Sequence, residues 1–131
     1  MKTKHVPNLE LCQELDRLCK EKGIVVPETE YYWWKTAGDN DWKLITAFQK
    51  RGYEVLRWVQ TFLPAPLVSE QGEWLPDDCD YFSGKNWNDE MFGCNVHRGR
   101  DWCFRKEANT EANARQKMIN YLLAEGIITK L

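Results

Sequence analysis

Two stretches of the chain, one near each end, repeat their apolar positions with the period of an α-helix. From Asn8, the residues Leu11, Cys12, Leu15, Leu18 and Cys19 fall at i, i+1, i+4, i+7 and i+8 and stop at Gly23, which predicts a capped helix with a buried stripe. Cys12 and Cys19 then lie two turns apart on one face, as small core residues. Toward the other end, Ala114, Met118, Tyr121 and Leu122 recur at spacings of three and four between an Asn109 or Thr110 cap and Gly126. Glu111 in the first turn suits the positive end of the helix dipole. Ala112, Ile119 and Leu123 widen this stripe, which predicts more than one neighbour and leaves Arg115, Gln116, Lys117 and Asn120 for the wetter side. Ile127 and Ile128 are expected to fold back onto the core.

Between these helices the pattern is that of strands. Tyr31–Lys35 and Trp42–Ile45 flank a polar turn containing Gly38, Asp39 and Asn40, the signature of a β-hairpin. Alternation sends Tyr31 and Trp33 to one face and Tyr32 and Trp34 to the other, so either both faces are covered or one aromatic pair is presented to a partner. A second region predicts three strands, at 81–83, 91–97 and 102–106. Phe92, Cys94 and Val96 share a face that matches Trp102 and Phe104 when His97 opposes Asp101. In that register Cys94 and Cys103 face opposite ways, and no disulfide joins them.

The middle is less regular. Val55, Trp58, Val59 and Phe62 fit a helical stripe, although Tyr53, Val55 and the aromatics would also suit a strand, and the helical reading is preferred. Pro66 is placed to open a helix with Leu67, Val68, Gln71 and Leu75 on one face, ended by Pro76, with Gly72 weakening its centre. The expected fold is α+β: small antiparallel sheets of two hairpins packed against an N-terminal helix, a middle helix and a long C-terminal helix. Residues 1–131 form one domain, with 1–7 a flexible arm.

A length of 131 residues allows a core that needs no metal or disulfide support. The net charge of −2, with acids and bases interspersed, gives no overall field to draw nucleic acid or an anionic membrane. Five cysteines without a C-x-x-C pair, and no apolar run long enough to span a bilayer, point to a reduced, cytoplasmic protein with no membrane association. The conspicuous excess is aromatic: seven Trp, five Tyr and five Phe.

Catalytic and metal-binding patterns are lacking, so no enzyme, cofactor or metal is expected. The two histidines, His5 in the arm and His97 at a hairpin end, are poorly placed as bases, although His97 with Cys103 is the one conceivable thiolate pair. Asp77, Asp78 and Asp80 lack the spacing of a calcium loop. Two candidate surfaces remain. Tyr31, Tyr32, Trp33 and Trp34 could anchor a protein partner, since large aromatics dominate binding hot spots. Alternatively, Arg98, Arg100, Arg105 and Lys106 on the 97–106 hairpin could grip nucleic acid. Three strands followed by a helix are similar in order to double-stranded RNA-binding domains, but Glu111 would face the phosphates there.

Three phrases carry a further likeness. Glu30-Tyr31-Tyr32-Trp33, then Leu63-Pro64-Ala65-Pro66-Leu67 leading to Gly72-Glu73-Trp74-Leu75-Pro76, then Thr110–Met118 leading to Tyr121-Leu122-Leu123, stand in this order. Together they resemble small proteins of bacteriophages, prophages and mobile elements of gut-type bacteria that have no assigned activity. The likeness spans most of the chain and departs from the pattern around Ala47 to Thr61. It implies a phage or prophage origin and gives no activity, with no catalytic residue to carry over; from the aromatic surplus the expected role is an accessory protein that binds a host or phage protein, as a monomer or small homo-oligomer.

Overall fold

The computed structural model describes residues 5–76, 80–85, 91–98 and 102–131. In chain order the elements are α1 (Leu9–Lys22), β1 (Tyr31–Thr36), β2 (Lys43–Thr46), α2 (Ala47–Glu54), β3 (Gln60–Ala65), α3 (Val68–Trp74), β4 (Asp80–Lys85), β5 (Phe92–Arg98), β6 (Trp102–Ala108) and α4 (Glu111–Ala124). The fold is α+β, with two antiparallel three-stranded sheets ordered β2-β1-β3 and β4-β5-β6.

The end helices form where their caps predict. Asn8 accepts the Leu11 N–H at 3.0 Å, and Gly23 ends α1 at φ 68°, a conformation open to a residue without Cβ. Thr110 accepts the Asn113 N–H at 3.1 Å, and Gly126 follows α4 at φ 74°. Ile128 returns to the core, as expected. Val6 and Pro7, placed by expectation in a loose arm, are buried, Val6 in a cluster with Cys12, Leu63 and Ala65.

α4 is the centre of the molecule. One side packs on β5 and β6, where Cys94, Val96 and Ala108 meet Met118 and Leu122, and other sides meet α1 and α3. This placement overturns the expected wet side: Gln116 and Asn120 are buried, as is Asn113, while Lys117 is exposed. Their amides are satisfied in a ladder. The Asn8 N–H donates to Asn113 Oδ1 at 2.7 Å and Asn113 Nδ2 to Asn109 Oδ1 at 2.9 Å. Gln71 Nε2 donates to the Ala112 carbonyl at 2.9 Å and to Gln116 Oε1 at 3.1 Å. Gln116 Nε2 donates to Asn120 Oδ1 at 2.9 Å, and Asn120 Nδ2 to the Leu11 carbonyl at 3.1 Å. Asn109, Asn113, Gln116 and Asn120 recur at four, three and four, so a polar seam runs toward α1 and α3 beside the apolar contacts that α4 also makes with them.

The middle of the chain departs most from expectation. The helix there is α2, capped by Thr46 and Gln49, and the segment predicted as a helical stripe becomes an irregular link followed by β3. Pro64 lies within that strand, opposite Tyr32 on the sheet's edge, where a missing N–H is tolerated. Pro66 is buried just ahead of α3, which begins two residues later at Val68.

In the second sheet β5 and β6 pair with Arg98 opposite Trp102 and Val96 opposite Phe104. The register is shifted by two residues from the one expected, with His97 opposite Cys103 in place of Asp101. A shift of two preserves the faces, so the apolar row Phe92, Cys94 and Val96 still meets Phe104.

The amide ladder is directly testable. Gln116→Leu strands Asn120 Oδ1 without its donor and is expected to cost about 1–3 kcal/mol in urea unfolding. Replacing Gln71, Gln116 and Asn120 together by Leu is expected to cost less than the sum of the three single changes, because no buried partner is left orphaned.

Candidate binding surface

Of the four aromatics of β1, Tyr32 is buried and Tyr31, Trp33 and Trp34 are half-buried. On one face Tyr31 and Trp33 pack with Trp42 and Leu44 against Val6, Cys12, Leu63 and Ala65. The Trp33 indole N–H donates to the Pro7 carbonyl at 3.2 Å, which ties the segment before α1 to this face. On the other face α2 forms the lid. The Trp34 and Tyr53 rings stack at 4.7 Å, and Lys50 Nζ sits 4.9 Å from the Tyr32 ring centre and 5.2 Å from that of Phe62. Trp34 Nε1 donates to Gln60 Oε1 at 2.8 Å, whose amide in turn donates to the Tyr53 carbonyl at 2.7 Å. Tyr32 is buried, and its hydroxyl accepts the Thr29 N–H at 3.1 Å. Of the two arrangements open to this strand, the observed one packs side chains on both faces and leaves Tyr31, Trp33 and Trp34 partly exposed.

The basic hairpin does not gather its cations. Arg105 and Lys106 are neighbours in β6 and therefore project to opposite faces. The Arg105 guanidinium lies over Gly93, where a Cβ would come within 2.6 Å of it, and is held by Glu107 at 2.7 Å and Asn95 at 3.1 Å. Lys106 Nζ points to the α4 side, 4.2 Å from the Tyr121 ring centre. Arg100 and the side chain of Arg98 lie outside the described residues. The observed register sets His97 across from Cys103 on one side and Asp80 on the other. The chemistry of that row rests on the Asp80 and Cys103 side chains, which also lie outside the described residues, as do Asp77 and Asp78. Among the described residues no cluster of three His, Cys, Asp or Glu could hold a metal ion. No helix there is long and apolar enough to cross a membrane.

The apolar surface left in solvent is elsewhere, on α2 and the link that follows it. Phe48 is 80 % exposed, Val55 80 %, Trp58 56 % and Val59 75 %, with Leu56 beside them. Phe48, Gly52 and Val55 fall at i, i+4 and i+7, an outward row opposite the Lys50 and Tyr53 face that covers the sheet. Gly52 has open space around it. The same stripe of Val55, Trp58 and Val59 was visible in the sequence, but as a buried helical face. Nothing in the residue types says that it is the uncovered one. A shallow cleft of about 350 Å³ adjoins Phe48, lined also by Glu28, Glu30, Arg51 and Glu70. Glu70 accepts N–H bonds from Leu67 at 2.7 Å and Glu30 at 3.1 Å, yet burial raises its pKa above the usual carboxylate value.

Comparison with known proteins adds no relative: no family model, no curated protein and no solved structure matches the chain.

Three cysteines carry free, buried thiols: Cys12, Cys19 and Cys94. Burial pushes Cys19 and Cys94 up to about 11, and Cys12 higher still despite the Trp33 indole beside it. Such thiols are poor nucleophiles at neutral pH.

Two expectations follow. Trp33→Ala and Trp34→Ala should each lower stability by roughly 2–4 kcal/mol, whereas Trp58→Ala should stay within about 0.5 kcal/mol of the parent, as read from urea midpoints. For the thiols, the folded pKa lies above the unfolded value, so the unfolded chain loses its protons first as pH rises. Their contribution to stability is complete below about pH 9 and is lost toward about pH 11. The urea midpoint should therefore fall between about pH 9 and about pH 11, and fall less in Cys19→Ala/Cys94→Ala.

Proposed function

We propose that the protein is a non-enzymatic accessory factor, of the phage or prophage kind its sequence resembles, that works by binding another protein through Phe48, Val55, Leu56, Trp58 and Val59. The observation that carries this reading is the exposure of these five apolar side chains together on α2 and its following link. Apolar side chains scattered singly are ordinary on a protein surface, as Val25 is here. Five within twelve positions are not. Covering exposed side chains of this size removes apolar surface from water, the favourable term in most protein association. Trp58 beside Arg57 also supplies the two residue types most enriched among binding hot spots.

The alternative, nucleic-acid binding by the 97–106 hairpin, has less support, since Arg105 already has a carboxylate partner and Lys106 faces α4.

Affinity capture from a host-cell lysate tests the reading. A protein retained in stoichiometric amount by the parent chain and by Trp33→Phe, but lost with Trp58→Ala, is the expected result. The same bound set with and without Trp58 would remove the surface from consideration.

A further inference from the structure

We infer that the occupant of the Phe48–Val59 surface is an amphipathic segment of a protein that sets a carboxylate opposite Arg57, an inference resting on the reading that this surface binds protein. The charges along α2 and its link are mostly spent within the chain. Lys50 pairs with Glu54 at 3.0 Å and is held over the rings of Tyr32 and Phe62. Arg51 pairs with Glu28 at 2.7 Å. Arg57 is exposed and, of these three cations, is the one with no ion-pair partner among the described residues.

Its position gives that free charge meaning. Arg57 stands between Leu56 and Trp58 in the chain and is exposed with them, so a partner seated on both is brought beside its guanidinium. A buried guanidinium left without an acceptor is costly, and a carboxylate meets its forked donors in two parallel hydrogen bonds. The complement of the surface is therefore apolar with an acid at one end. At the Phe48 end Glu28 is already paired with Arg51, and Glu30 and Glu70 line the adjoining cleft, so the acid of a bound segment is favoured at the Arg57 end. The row Phe48–Gly52–Val55 suits an occupant with its own apolar residues at helical spacing. The bare Gly52 backbone lets it approach closely between the two larger side chains.

The test uses the full chain and a displayed library of random peptides about 16 residues long. The expected binders carry apolar residues at i, i+3 or i+4 with an enriched Asp or Glu toward one end, and lose binding with Trp58→Ala. For a synthesised binder, Arg57→Glu should weaken affinity at least about tenfold while leaving the urea midpoint unchanged, and reselection on R57E should enrich Lys or Arg instead. Binders that need Trp58 but show no acidic preference, or ignore R57E, overturn the charge complement alone and leave the binding surface standing. A library yielding no Trp58-dependent binder overturns both. Trp58-dependent sedimentation with phosphatidylserine vesicles, in place of peptide binding, would assign the surface to a lipid bilayer and overturn the proposal.

Discussion

A buried run of amides along one helix is the constraint from which the rest of the architecture follows. α4 is covered by a sheet on one side and by α1 and α3 on others, so the polar groups it turns toward them need partners inside the protein. Asn113, Gln116 and Asn120 resolve this by meeting one another, Gln71 of α3, and backbone groups at Asn8 and Leu11 of α1. An apolar seam would hold the helices at many relative positions. Amides at fixed intervals have few arrangements in which every donor finds an acceptor, and so they set how α1 and α3 lie against α4. Gln71 Oε1 is the one buried side-chain atom among the described residues left without a partner, at the point where α3 joins the ladder.

α1 connects this centre to the aromatic sheet. Leu15, Leu18 and Cys19 belong to the core around α4, while Cys12 belongs to the cluster under β1 and β3. The first sheet is thus held from below by α1 and closed from above by α2. Because α2 spends Lys50 and Tyr53 on that closure, its opposite face is left with Phe48, Gly52 and Val55, and the link beyond it has no element to fold against. Covering the aromatics of β1 and exposing the apolar row of α2 are two results of the same short helix.

What could be read from the residues divides along physical lines. Both long helices were legible because their ends carry local chemistry: Asn8, Gly23, Thr110 and Gly126 act within one turn of their own backbone. The faces of the second sheet were legible because alternation is local, while its register was two residues off because a slip of two leaves every side chain on its own face and so leaves no mark in the apolar pattern. Gln116 and Asn120 were misplaced for a different reason. Hydropathy reports what a side chain does in water, whereas an amide with two partners waiting is at home inside. The candidate surface moved from Tyr31–Trp34 to Phe48–Val59 because burial is a property of neighbours, and the lid over β1 comes from a segment whose strand and helix signals overlap.

The proline in β3 bears on how safely the molecule can carry its exposed link. That link runs directly into an outer strand, and an apolar approach to an unpaired strand edge is the usual starting point for end-to-end polymerisation of chains. Pro64 offers no N–H, so a foreign strand laid along that edge would find its row of donors broken partway. The molecule can therefore keep a sticky approach to this edge while hindering its own copies from adding as further strands, and association through the link falls to side chains.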